Sequence, residues 1–185
     1  MSAKTRNPLY FIALMPPESI RKEVETFKKE IKAKYGIKHA LKLPAHITLQ
    51  IPFRISEDEL KILIEKLDDF CLNHKAFPTK LNGFGRFSKQ VIFIKVEDHE
   101  PYLRLHDELQ QLILNFIDLK KHEIASKMHP HLTIATRDLK RSEFPAVWED
   151  FKDRDYKASF LARDISLFRH DGENWEVLKH FLLSE

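Results

Sequence analysis

Cysteine occurs once, at Cys71, which excludes an internal disulfide and leaves no thiolate cluster for a metal. On a helix it reads as a small buried hydrophobe. Glycine is scarce too, four in 185 residues, and with no low-complexity run there is little room for a long flexible linker. No apolar run approaches the ~20 residues that span a bilayer. Leu9 to Met15 is also too short for the core of a secretion signal, and it runs into Pro16-Pro17. A Gly-rich loop ending in Lys-Ser/Thr is missing, which argues against ATP-driven ligation. Charge of one sign does not dominate: 31 Lys and Arg against 28 Asp and Glu leave +3. That is weak for gripping long nucleic acid along a positive stripe, though it suits a local pocket for a small anion. The expectation is a cytoplasmic globular protein with no membrane association, no cofactor and no obligate protein partner.

What the chain does have is alternation of strand-like and helix-like segments. At this length roughly 70% of the unfolded surface can be buried, enough for one domain or two small lobes sharing a core. Leu9 to Met15 has the profile of a strand buried on both faces. Pro16-Pro17-Glu18 opens a helix whose Ile20, Val24, Phe27 and Ile31 fall at helical spacing, with Gly36 as C-cap and the charges of Arg21 to Lys34 solvated. Ser56 and Glu59 form a capping box ahead of Leu60, Leu63, Ile64, Leu67 and Cys71. Phe77 to Phe87 and Val91 to Val96 read as strands, with Gly83 and Gly85 suggesting a bulge or a close backbone approach. In the second of these, Val91, Phe93 and Lys95 share one face. A helix from Pro101 carries Leu105, Leu109, Leu112, Ile113, Phe116 and Ile117, and a shorter one covers Ala146 to Phe151. Phe160 to Phe168 and Trp175 to Leu183 read as two closing strands around Asp171-Gly172-Glu173-Asn174.

Two stretches stand out because they nearly copy each other: Pro44-Ala45-His46-Ile47-Thr48-Leu49 and Pro130-His131-Leu132-Thr133-Ile134. Residues two apart on a strand share a face, so each stretch presents an imidazole beside a hydroxyl with aliphatics behind. With ten His and six Thr in the chain, chance gives about 0.3 His-x-Thr matches. Two matches with the same flanks, nearly half a chain apart, suggest an internal duplication. Two lobes related by a pseudo-twofold, their sheets facing across a cleft, would bring His46 and His131 together.

With those motifs placed, the chain resembles the 2H phosphoesterase superfamily, in its 2′-5′ RNA ligase-like branch. Leu81-Asn82-Gly83-Phe84-Gly85-Arg86-Phe87 is similar to that branch's glycine-and-phenylalanine strand. Ile165-Ser166-Leu167-Phe168 through Trp175-Glu176-Val177-Leu178 is similar to its closing hairpin. The resemblance implies a bilobal α+β fold over residues 1–185, one domain of two intertwined lobes whose antiparallel sheets line a central cleft with helices outside. It implies metal-independent opening of 2′,3′-cyclic phosphate on RNA ends or small cyclic nucleotides, and it allows reversible 2′-5′ ligation beside it. His46 would be the acid, His131 the base, and Thr48 and Thr133 the phosphate-binding hydroxyls. Sequence alone does not separate acid from base. A non-catalytic nucleotide-binding module and a hydrolase of ADP-ribose 1″,2″-cyclic phosphate are the alternatives. Relatives place Arg as His-x-Thr-x-Ala-Arg; here Thr136 intervenes, and alternation predicts that Arg137 points away from the phosphate.

Candidate groove-lining residues are His129, Phe53, Arg86 and Trp175, with Phe87 a further stacking candidate. Lys42, Arg86 and Arg169 are candidate phosphate cations. His129-Pro130-His131 has a metal-site spacing, but no clustered third ligand accompanies it. His39, His74, His99, His106, His122, His170 and His180 are expected at the surface or in packing.

Overall fold

Repetition in sequence becomes repetition in space. The computed structural model describes residues 7–125 and 127–185. In chain order its elements are β1 (Leu9–Leu14), α1 (Glu18–Tyr35), β2 (Ile47–Arg54), α2 (Glu57–Leu72), β3 (Phe77–Phe87) and β4 (Val91–Val96). They continue with α3 (Glu100–Leu114), β5 (His131–Ala135), α4 (Phe144–Phe151), β6 (Lys157–Ala162), β7 (Asp164–His170) and β8 (Trp175–Leu182). β1-α1-β2 and β4-α3-β5 are the two copies of one strand–helix–strand unit. Each ends in a His-x-Thr strand that pairs antiparallel with the strand before the helix.

The strands form two antiparallel four-stranded sheets, ordered β2-β1-β7-β8 and β5-β4-β3-β6. Both motif strands are edge strands, and those two edges, β2 and β5, touch each other. Pro52 is tolerated in β2 because an edge strand has a free side, and the register with β1 shifts between Tyr10 and Ile12. The helices cross over: α1 packs beside β5, and α3 packs on β2. Phe27 of α1 stands edge-on against Phe84, Phe151 and Tyr156. Each unit's helix therefore packs against the motif strand of the other unit, and both sheets share one core.

Local chemistry explains the ends of these elements. Gly36, at φ 73°, closes α1 in the left-handed region and donates to the Lys32 carbonyl at 2.9 Å. Ser56 Oγ accepts from the Glu59 N–H at 3.3 Å while Glu59 accepts from the Ser56 N–H at 2.7 Å, the reciprocal box expected before α2. His106, buried in α3, donates from Nδ1 to the Leu49 carbonyl at 2.6 Å and ties that helix to β2. Buried Glu123 accepts from the Arg54 and Lys120 N–H groups at 3.0 and 2.8 Å, which fastens the connection before β5 over the same edge.

One expected element divides. Phe160 to Phe168 is not a single strand: the chain leaves the second sheet at Ala162 and enters the first at Asp164. Ala158, Phe160 and Ala162 face the core before the crossing, Ile165 and Leu167 after it. The inward positions change from even to odd, which is what a switch of sheets requires of a two-residue period. No helix among the described residues is long and apolar enough to cross a membrane.

Candidate active site

β1 is buried on both faces, and the two faces do different work. Tyr10, Ile12 and Leu14 join the main core. Phe11, Ala13 and Met15 form a second apolar patch with Phe168, flanked by Leu43 and Trp175. Thr48 lies opposite Ala13 in the register, so the first motif rises from this second face. The His46 ring leans on Phe11 and Phe168, with centroids at 5.3 and 6.1 Å. Phe11 in turn stacks on Phe168 at 4.3 Å and meets Trp175 edge-on at 4.6 Å.

The second motif has an equivalent aromatic bed. Thr133 lies opposite Phe93 and His131 opposite Lys95. The His131 ring stands perpendicular to Phe87 at 4.9 Å and tilted against Phe93 at 5.1 Å. The glycines of β3 make this possible. Gly83, at φ 64°, sits in a register shift where the backbone bulges. A Cβ on Gly85 would lie 2.6 Å from the Phe93 ring, so only glycine leaves room for that ring to lie across the strand.

Both imidazoles are held in the same way. His46 Nδ1 lies 2.8 Å from the Pro44 carbonyl, and His131 Nδ1 lies 2.6 Å from the His129 carbonyl, two residues upstream in each case. A carbonyl only accepts, so Nδ1 carries the proton in both rings and the Nε2 lone pair is left for another partner. Burial pushes the His46 imidazolium down to about 4, and the positive charges of Lys28 and His131 push the same way against the Pro44 carbonyl. Burial also lowers His131, opposed by the His129 carbonyl.

His46 and Thr133, one from each motif, line a single groove of about 320 Å³ with Lys28, His39, Lys42, Arg137, His170 and Trp175. His131 and Thr48 are not among the residues that line the groove holding His46. Its basic groups outnumber its one acidic neighbour, Glu173, which suits an anion. Trp175 and Lys42 both lie on the groove wall. His129 is exposed beside the site, edge-on to Phe87 at 5.0 Å and to His99 at 4.6 Å. Among the described residues no three His, Cys, Asp or Glu side chains converge to hold a metal.

Other expectations need correction. Phe53 is fully buried in the main core against Tyr10, because β2 turns it away from the groove. Arg86 lies over Phe144 and Trp148, on the helix-covered side of β3. Arg169 pairs with Glu57 at 3.2 Å. His39 and His170, expected in surface or packing roles, line the groove. Arg137 does as well, contrary to the alternation argument: β5 ends at Ala135, and Arg137 adopts φ 51°, which redirects its side chain. Asp138 fixes that corner by accepting from the Lys38 and His39 N–H groups at 2.8 and 2.9 Å.

Sequence reasoning also missed Lys28. It is 4% exposed, and it sits at a core position of α1 with Ile20, Val24 and Ile31. A lysine interrupting an apolar stripe was the available signal.

Comparison with known proteins gives a consistent result. The family described as the 2′-5′ RNA ligase superfamily matches residues 16–174. A protein of Geobacillus sp. strain WCH70, whose name assigns it provisionally to the phosphoesterases, is 27% identical over 177 residues, covering 94% of this chain and 95% of that one. The RNA 2′,3′-cyclic phosphodiesterase of Methanocaldococcus jannaschii is 28% identical over 181 residues, covering 92% and 98%. Among solved structures, E. coli LigT complexed with 3′-AMP superposes with a TM-score of 0.67 at 15% identity, covering 98% of this chain and 100% of that one. At that identity the likeness is one of fold.

Proposed function

The chain belongs to the 2′-5′ RNA ligase superfamily, a family with phosphoesterase members, and from that premise we propose that it opens 2′,3′-cyclic phosphates by two-histidine acid–base catalysis without a metal. The observation that carries this reading is the matched pair of imidazoles, each with Nδ1 held by a carbonyl two residues back and Nε2 free.

In the proposed reaction, water attacks phosphorus while one Nε2 takes its proton. One P–O bond forms, one ring P–O bond breaks, and the other imidazole protonates the departing ribose oxygen, leaving a phosphomonoester. Each proton transfer contributes about 10²–10⁴-fold. Thr48 and Thr133 donate to the non-bridging oxygens as charge builds there. Burial disfavours the protonated form of both rings in the free protein. The bound phosphate must therefore restore a proton to one of them, and the resemblance assigns that acid role to His46. Arg137, Lys42 and Trp175 suit the rest of a nucleotide. Ligation, where it occurs, is the same chemistry in reverse.

The test is turnover of a 2′,3′-cyclic nucleotide in EDTA. His46→Ala and His131→Ala should each abolish turnover while nucleotide binding persists. A wild type that binds the nucleotide and never turns it over would make this protein a binding module.

A further inference from the structure

Lysines on α1 mostly behave as surface lysines do. Lys22, Lys29 and Lys34 pair with Glu18, Glu25 and Asp150 at 2.7, 2.6 and 2.5 Å. Lys28 does not. It points inward, 4% exposed, and forms no ion pair among the described residues. Its ammonium donates to the Leu43 carbonyl at 2.9 Å, the one acceptor it meets among the described residues. An ammonium has three protons to give. A buried cation with no counter-ion is costly, and the usual outcomes are loss of the proton or acquisition of an anion. Burial lowers this ammonium to about 8, against the pull of the Glu25 carboxylate, which forms no ion pair with it, so it remains mostly charged at neutral pH.

Its surroundings say where an anion would come from. Lys28 lines the groove that holds His46 and Thr133. Its anchor, the Leu43 carbonyl, is the peptide next to the Pro44 carbonyl that sets the His46 tautomer. Because α1 packs beside β5, the lysine reaches this position from the second motif's side. It therefore stands at the seam between the two His-x-Thr strands, with its charge felt at His46.

We propose that Lys28 is a phosphate-binding residue of this groove, a buried cation whose missing counter-ion is the substrate's phosphate. This rests on the phosphoesterase reading and adds to it a contact outside both motifs. An anion bound there would also cancel the positive charge that disfavours a protonated His46, coupling arrival of substrate to readiness of the acid.

The experiment is calorimetric titration of the full chain with inorganic phosphate in EDTA, for wild type, Lys28→Gln and Lys28→Met, alongside melting curves and wild-type turnover of a cyclic nucleotide. Gln keeps a donor for the Leu43 carbonyl and removes only the charge. Phosphate affinity should fall about 10- to 100-fold in both variants, as for losing a charged hydrogen bond. Lys28→Met should melt no lower than wild type in phosphate-free buffer. Unchanged phosphate affinity in Lys28→Gln would overturn the proposal. So would weaker affinity matched by an equal loss of phosphate-free stability in both variants, since that marks a structural tie. Wild-type turnover with undiminished binding by Lys28→Gln sinks this inference alone. A wild type with neither turnover nor phosphate binding sinks the enzymatic reading with it.

Discussion

Adding one methyl group at Gly85 should disable a histidine that it never touches. An alanine Cβ there would lie 2.6 and 2.8 Å from two carbons of the Phe93 ring and 3.1 Å from Lys95 Cγ. Carbon atoms settle at about 3.5–4.0 Å, so the ring must move by about 1 Å. It has little freedom to do so, being 3% exposed and packed at 4.3 Å against Phe87. His131 rests on both rings. Overpacking of this kind costs about 1–3 kcal/mol, or roughly 2–12 °C in melting temperature for a chain of this size. A displacement near 1 Å at a reacting group lowers the rate about 10²-fold. Gly85→Ala should therefore remain folded, melt lower and turn over a cyclic nucleotide about 10²-fold more slowly. Adding Phe93→Leu, which vacates the space, should recover much of both losses. Full activity and unchanged melting in Gly85→Ala would refute the reasoning, as would an activity loss untouched by the second substitution.

The acid limb of kcat/KM should lie below pH 6.5, because burial lowers both imidazoles; an inflection at or above 6.5 would contradict that. Stability carries the same sign. As pH falls from 6.5 toward 4 the unfolded chain takes up the His46 proton first, so melting should decline over that window more in wild type than in His46→Gln. Replacing His106 by Leu removes the donor to the Leu49 carbonyl inside the core. It should cost about 1–3 kcal/mol in denaturant titration, with activity per folded molecule largely retained. Arg137→Ala should raise KM for a cyclic nucleotide about tenfold with little change in melting, since its side chain lines the groove; an unaltered KM would place it outside the substrate's reach.

The elements were legible where chemistry is local. The Ser56–Glu59 box, the Gly36 cap and the alternation of His46, Thr48, His131 and Thr133 each depend on neighbours within a few residues. The crossing at Arg163 was less visible because no glycine or proline marks it, only a change in parity from Phe160 and Ala162 to Ile165 and Leu167. What sequence could not supply was which face of each strand meets the groove once the sheets are placed. Phe53 and Arg86 went to the core and helix sides for that reason. Arg137 returned to the groove through a positive φ that alternation does not anticipate. Lys28 needed the crossover of α1 to bring it beneath the motifs.

The most direct test of the two-histidine account is isotope-edited NMR of the imidazole nitrogens during titration with inorganic phosphate in EDTA. Nδ1 of His46 and of His131 should be protonated before phosphate is added. Both Nε2 signals should then move together, with one dissociation constant and one phosphate per chain. A response from only one ring, or two rings titrating with separate constants, would mean that the imidazoles do not share a phosphorus atom.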